Sequence, residues 1–374
     1  MDVSPAARSS PFQTGSGNMK KRFAASALAC LALACGPVHA TSSDAPGTAA
    51  PVARDADTVL AQATPHDRLL AIAFHGDFGI SVGEAGRIMT TQDGGKTWTK
   101  SPVPRCLQMK YLPYAREMVG VATNGKRTIM VGEMGHILVG GENGPWHKAV
   151  SGTTQRLLNV SINDNGLAFA VGAFGTLLKS TDGGESWTSV APDWVPLYNP
   201  AGSDSFIQIT NPTLYAVKVS DDGSVLIGGE NGQILRSPDQ GATWDVAWRY
   251  PVASGEVAPT VFGMQIGPGG TGYAVGQADL MLKTTDGGST WTPLKSSADG
   301  QSEFFAVDSD AQGNVLVVGM RAAFRSTDGG ATWKRMDGLD LAMAWYSDVS
   351  HASSDPPGTF IAVGNRARII QLAE

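Results

Sequence analysis

The chain has 374 residues, 28 Lys and Arg against 34 Asp and Glu, a net charge of −6, 17% charged residues and 46 glycines. An acidic chain without a basic block lacks the electrostatic footprint of a nucleic-acid binder and offers nothing to anionic lipid. Of three cysteines two stand in the first 35 residues, so no disulfide framework is expected in the rest.

Residues 1–40 read as an export signal, with Met19 as the expected start. Met19-Lys20-Lys21-Arg22 opens a run of small apolar residues from Phe23 to Ala34. The run is too short for a spanning helix and leads to Val38-His39-Ala40, a small-x-small cleavage pattern. A mature chain beginning near Thr41 in the periplasm is expected, and its net charge is −9. The alternative is a lipoprotein acylated on Cys35 or Cys30, although Ala32 and Ala27 stand where a Leu is expected. Residues 41–66 are an Ala-, Ser-, Thr-, Pro- and Asp-rich lead-in. Inside it, Asp57–Gln62 has the composition of a strand. Cys106, left alone, reads as a buried inert thiol.

From residue 67 to 374 the chain is one array. A Val-Gly element recurs seven times, 40 to 57 residues apart, from Val82-Gly83-Glu84-Ala85-Gly86 to Val363-Gly364-Asn365-Arg366-Ala367. An apolar run precedes each, such as Leu157–Ile162 or Leu214–Val219. Turn signals such as Asp164-Asn165-Gly166 separate the two. After the Val-Gly element comes an eight-residue motif: Ser/Thr, any, Asp, any, Gly, any, Ser/Thr, Trp. Its five copies end at Trp98, Trp187, Trp244, Trp291 and Trp333 and hold Asp93, Asp182, Asp239, Asp286 and Asp328. The Asp and the hydroxyls can lock a hairpin turn, Gly supplies positive φ, and Trp gives a flat surface to bury between units. The second unit keeps only Trp146 of the motif, and the seventh ends one strand short.

Each unit therefore reads as four short strands with almost no helical periodicity. Seven such units predict an all-β fold, a seven-bladed β-propeller of four-stranded antiparallel blades. The Asp57–Gln62 run is expected to fill the missing place in the seventh blade and close the ring.

These turns are Asp-boxes, or bacterial neuraminidase repeats, and the array from about residue 55 to 374 resembles the photosystem II stability/assembly-factor-like family. The resemblance implies a non-enzymatic scaffold without cofactor or metal that helps assemble or stabilise a membrane-associated complex. In non-photosynthetic hosts that complex could be an envelope transporter. The alternative is an Asp-box glycoside hydrolase of the sialidase kind, or a carbohydrate-binding propeller without catalysis. Sialidases carry an aromatic-Arg-Ile-Pro motif before the first box; this chain has Gly86-Arg87-Ile88-Met89, lacking the aromatic and the Pro.

Successive turns of a meander alternate between two rims, so Val-Gly turns and Asp-boxes should lie on opposite faces. The Asp side is occupied by staples. A partner is therefore expected on the Val-Gly side, where equivalent positions vary: Glu84, Arg87, Glu133, His136, Glu230, Gln277, Arg321, Arg366 and Arg368. The long connection 191–212, with Trp194, Tyr198 and Phe206, opens on the same side, as does 101–116 with Tyr111.

Overall fold

The computed structural model describes residues 57–373 apart from 65, 109–114, 143, 200–208, 252–256 and 296–301. The expected signal with Met19, Cys30 and Cys35, and also Tyr111 and Phe206, lie outside the described residues.

The sequence units become seven four-stranded antiparallel sheets. The first described strand, β1 (Thr58–Ala61), belongs to the last of them. Blade one is β2 (Leu69–His75), β3 (Phe78–Gly83), β4 (Ile88–Thr91) and β5 (Thr99–Lys100). Blade two is β6 (Met118–Thr123), β7 (Thr128–Gly132), β8 (Ile137–Gly140) and β9 (His147–Ala149). Blade three is β10 (Leu157–Ile162), β11 (Ala168–Gly172), β12 (Leu177–Ser180) and β13 (Thr188–Ser189). Blade four is β14 (Leu214–Val219), β15 (Val225–Gly229), β16 (Gln233–Ser237) and β17 (Asp245–Arg249). Blade five is β18 (Val261–Ile266), β19 (Gly272–Gly276), β20 (Met281–Thr284) and β21 (Thr292–Pro293). Blade six is β22 (Glu303–Ser309), β23 (Val315–Met320), β24 (Ala323–Ser326) and β25 (Lys334–Arg335). Blade seven is β26 (Tyr346–Ser350), β27 (Phe360–Gly364), β28 (Ile369–Leu372) and, outermost, β1.

The inner strands β2, β6, β10, β14, β18, β22 and β26 pack side by side in that order, and β26 returns to β2. Each inner strand slips register by one residue near its start, for example between Leu69 and Ala71, between Phe304 and Ala306 or between Tyr346 and Asp348. Such a bulge bends the strand and sharpens its twist. The second strands are buried, apart from Met320 at the end of β23, because both of their faces meet a neighbouring blade. They consequently read as continuous apolar runs, with no alternation. Side chains fill the seams between blades: Ile129, Val139, Val160, Leu178 and Trp187 form one such cluster from blades two and three.

The Val-Gly pair has a steric cause. A Cβ on Gly83 would run into the backbone carbonyl of Arg68, and one on Gly132, Gly172, Gly276 or Gly319 into that of Glu117, Arg156, Thr260 or Glu303. The end of the second strand thus presses on the residue leading into the first. The backbone there is extended (φ −171° at Gly83), so the demand is for space and not for left-handed geometry.

The Asp-boxes are closed by local hydrogen bonds. In blade three Ser180 Oγ donates to Asp182 Oδ1 at 2.7 Å, Ser186 N to Oδ1 at 3.0 Å and Ser186 Oγ to Oδ2 at 2.5 Å. Asp93, Asp239, Asp286 and Asp328 accept the same set. Hydrogen bonds led by the Ser186, Thr243, Thr290 and Thr332 hydroxyls hold Asp182, Asp239, Asp286 and Asp328 at about 2, below the ordinary carboxylate range. At Asp93 burial pushes upward, but the bonds from Thr97 and Thr91 outweigh it and the net shift is down. The indole N–H of Trp98, Trp187, Trp291 and Trp333 donates to the second Gly of the box at 2.8–3.1 Å. Trp244 differs: its buried Nε1 finds no acceptor among the described residues.

Candidate partner-binding face

Hydrogen bonds define the two rims. Asp-box amides donate to the inner hairpin turns: Gly94 to Asp77, Gly183 to Gly166, Gly287 to Gly270 and Gly329 to Gly313. The Val-Gly turns bond instead to the residues leading into the inner strands, as Glu84 N does to Arg68 O and Asn365 N to Trp345 O. Three of them also reach the next blade: Gly175 N donates to Pro212 O, Asp279 N to Ser302 O and Arg321 N to Ala344 O. The rim opposite the Asp-boxes therefore carries the Val-Gly turns together with the blade-to-blade connections.

Several of the residues expected to meet a partner there are engaged within the fold. Glu230 Oε2 accepts from Thr213 N and Gln277 Oε1 from Thr260 N, both at 2.9 Å. Glu84 pairs with Arg68 at 2.8 Å; burial pushes its carboxyl upward, and the arginine only partly offsets this. Arg87 pairs with Asp67 at 2.7 Å. Arg368 pairs with Asp340 and donates through Nε to Gln62 at 3.0 Å. His136 is buried, with Nδ1 3.0 Å from the Glu133 carbonyl, and burial pushes its imidazole below the usual value. Glu133 opens the same turn, whose tip is Met134.

Trp194 and Tyr198 lie on a short helix, α1 (Trp194–Tyr198), which Asp193 caps by accepting from Val195 N at 3.0 Å. Both rings are buried and stack edge-to-face at 6.2 Å. Trp194 Nε1 donates to Gly175 O at 3.2 Å, so the connection seals the blade-three turn with its aromatics instead of displaying them. Tyr198 Oη has no partner among the described residues, and burial pushes its hydroxyl above its ordinary value. Cys106 is half-buried against the seam of blades one and two.

Arg321 and Arg366 remain exposed, at equivalent tips of blades six and seven. Both have positive φ, 55° and 60°, as do Ala85, Met134, Phe174, Asn231 and Ala278 at the other tips. The sequence signal for these positions was the fourth residue of each Val-Gly element. Of it, the sequence reading used only the two arginines. Exposed large apolar side chains gather on the same rim. Met134 and Phe174 are in Val-Gly turns, Met320 ends β23 just before one, and Val150, Val257, Leu339 and Met343 are in connections between blades. Val150 sits apart from these, bridged to Ser186 of the blade-three Asp-box, and the two others are Val59 in β1 and Val246 in β17. No group of three or more His, Cys, Asp or Glu among the described residues could hold a metal ion. No described helix is long and apolar enough to cross a membrane.

Fold and turns together define an Asp-box β-propeller with one stapled rim and one variable rim. The BNR/Asp-box repeat family model matches residues 324–335. The chain is similar to the photosystem II assembly lipoprotein Ycf48 of Synechococcus sp. (strain CC9902), 25% identical over 208 residues. That match covers 48% of this chain and 61% of the relative, less than two thirds of its length. The solved structure of YCF48 bound to D1 peptide has a TM-score of 0.61 at 17% identity, covering 87% of this chain and 99% of that one. The GH74 xyloglucanase from Xanthomonas campestris reaches 0.62 at 14% identity, over 84% of this chain and 53% of the enzyme. At such identities the structural likeness is one of fold.

Proposed function

We propose that the chain is a non-enzymatic, exported propeller that holds a segment of a membrane-associated protein complex on its Val-Gly rim and helps assemble or stabilise that complex. The observation that carries this reading is the asymmetry of the two rims. One is occupied by hydrogen-bonded Asp-boxes, while the other presents different exposed tips, Arg321 and Arg366 among them, on a repeated scaffold. A rigid ring with varied tips is a surface that can be made specific without disturbing the fold. The name of the Synechococcus relative, an assembly lipoprotein, and the D1 peptide in the YCF48 structure support it.

The test is capture of a partner from membranes in mild detergent. Arg321→Glu with Arg366→Glu should abolish capture and leave the melting temperature unchanged, because both side chains are exposed. Capture at the wild-type level would reject this rim. Arg87 is unsuited to the test, since its pair with Asp67 would be lost as well. The second reading, a glycoside hydrolase, draws on the fold shared with the xyloglucanase. Turnover of fluorogenic sialosides or aryl glycosides by the purified chain would establish it. No turnover is the expected result, because the repeated carboxylates are already engaged by their own turns.

A further inference from the structure

We infer that the Val-Gly rim seats directly on a lipid bilayer by inserting apolar side chains, independently of lipid charge. The inference goes beyond the partner reading and can fail separately from it. Its ground is the placement of Met134, Phe174, Val257, Met320 and Met343. All belong to Val-Gly turns, the strand end leading into one, or connections of one rim, and Val257, Met343 and Phe174 are the most exposed of them, at 83%, 76% and 68%.

Three features favour a bilayer as the occupant. First, these side chains stand on blades two, three and six and on the connections that follow blades four and six. A peptide would meet only those along its path; a planar apolar phase meets them all together. Second, Met134 and Phe174 occupy left-handed positions, φ 53° and 55°, where a bulky residue is disfavoured. Asn231 fills the equivalent place in blade four with φ 61°, so the turn itself does not require an apolar side chain. Third, charges around the apolar tips are mixed. Lys148 and Arg116 lie close enough to His136 to depress it, while Glu133 opens the same turn and Glu117 pairs with Arg156 at 2.9 Å. With a net charge of −6, attraction to anionic headgroups is not what would hold the chain.

The experiment is co-sedimentation of the full chain with vesicles of phosphatidylcholine alone, and of phosphatidylcholine mixed with phosphatidylglycerol, at low and high salt. The wild type should sediment with both to the same extent, unaffected by salt. Met134→Asn with Phe174→Asn should lower the partition coefficient by about tenfold or more. Val246→Thr, on the outer strand of blade four, should leave it unchanged. All variants carry the same residues 1–56, so the differences report on the rim. A matching thermal melt shows that the double variant is folded, as the Asn231 turn leads one to expect. The inference is overturned by a wild type that ignores neutral vesicles, by binding that needs phosphatidylglycerol and vanishes in salt, or by undiminished binding of the double variant. Partner capture in detergent, where no bilayer exists, reads the other proposal.

Discussion

Asp182 is exposed, yet its carboxylate accepts from Ser180 and twice from Ser186 within a seven-residue stretch. Asp182→Ala should therefore cost about 1–2 kcal/mol in chemical denaturation, the loss of charge-assisted bonds at an open site. Trp187→Ala should cost more, about 3 kcal/mol, since that ring is 8% exposed in the seam of blades two and three. The boxes also set a pH dependence. Their folded carboxyls titrate at about 2, below the unfolded value near ~3.9, so their stabilisation is complete above that value. It is lost as pH falls through the folded value. Melts between pH 5 and pH 2 should show this decline, made shallower by each Asp-to-Asn substitution in a box. The roles of Asp, Ser/Thr and Trp were legible in the sequence because every one of these bonds closes within eight residues. The Val-Gly glycine was visible only as a repeat, since the carbonyl that excludes its Cβ comes from a residue fifteen positions earlier, as Arg68 does for Gly83. Glu230 and Gln277 looked like surface variation for the same reason: the amides they accept from are seventeen residues away.

Among the elements, β1 is the one that joins distant parts of the chain. It pairs antiparallel with β28, Thr58 opposite Gln371 and Val59 opposite Ile370. Ala63 N donates to Arg366 O, and Arg368 Nε to Gln62, extending the attachment beyond the strand. Deleting residues 57–64 should lower the melting temperature by several degrees and expose β28 to protease; an unchanged melt would mean that blade seven is stable with three strands. The seam between blades seven and one has a second tie, Asp348, whose Oδ2 accepts from Ile72 N at 2.9 Å. Burial pushes this carboxyl up to about 7, against its backbone donors Ile72 and Val349. The sign is opposite to that of the boxes. Asp348 is protonated in the fold at pH values where the unfolded chain has already released the proton. It therefore disfavours folding progressively as pH rises from about 4 to about 7. Asp348→Asn should flatten the stability profile across that interval. Nothing in Tyr346-Ser347-Asp348 announces this, because the group acts on another blade. The connection with α1 was misread for a related reason: aromatic residues in a long loop suggested display, but Trp194 had a turn to cover.

At the scale of the whole molecule the periodicity of the sequence was a sufficient guide to architecture, because each blade repeats the same local rules and the inner strands only have to meet in order. The rims were separable in advance by the alternation of a meander. The apolar character of one rim was not, since Met134, Phe174 and Val257 are single residues scattered over more than a hundred positions and come to one rim only when the ring is formed.

The position of β1 has a consequence for how the polypeptide comes into being. β1 has no sheet partner until Ile369–Leu372 have emerged, about three hundred residues later. Such a contact of extreme sequence separation is the slowest kind to form. A chain stopped a few codons early would carry six complete blades and an unlatched seventh, with two raw edges side by side. Quality control could recognise that defect without inspecting anything else in the molecule.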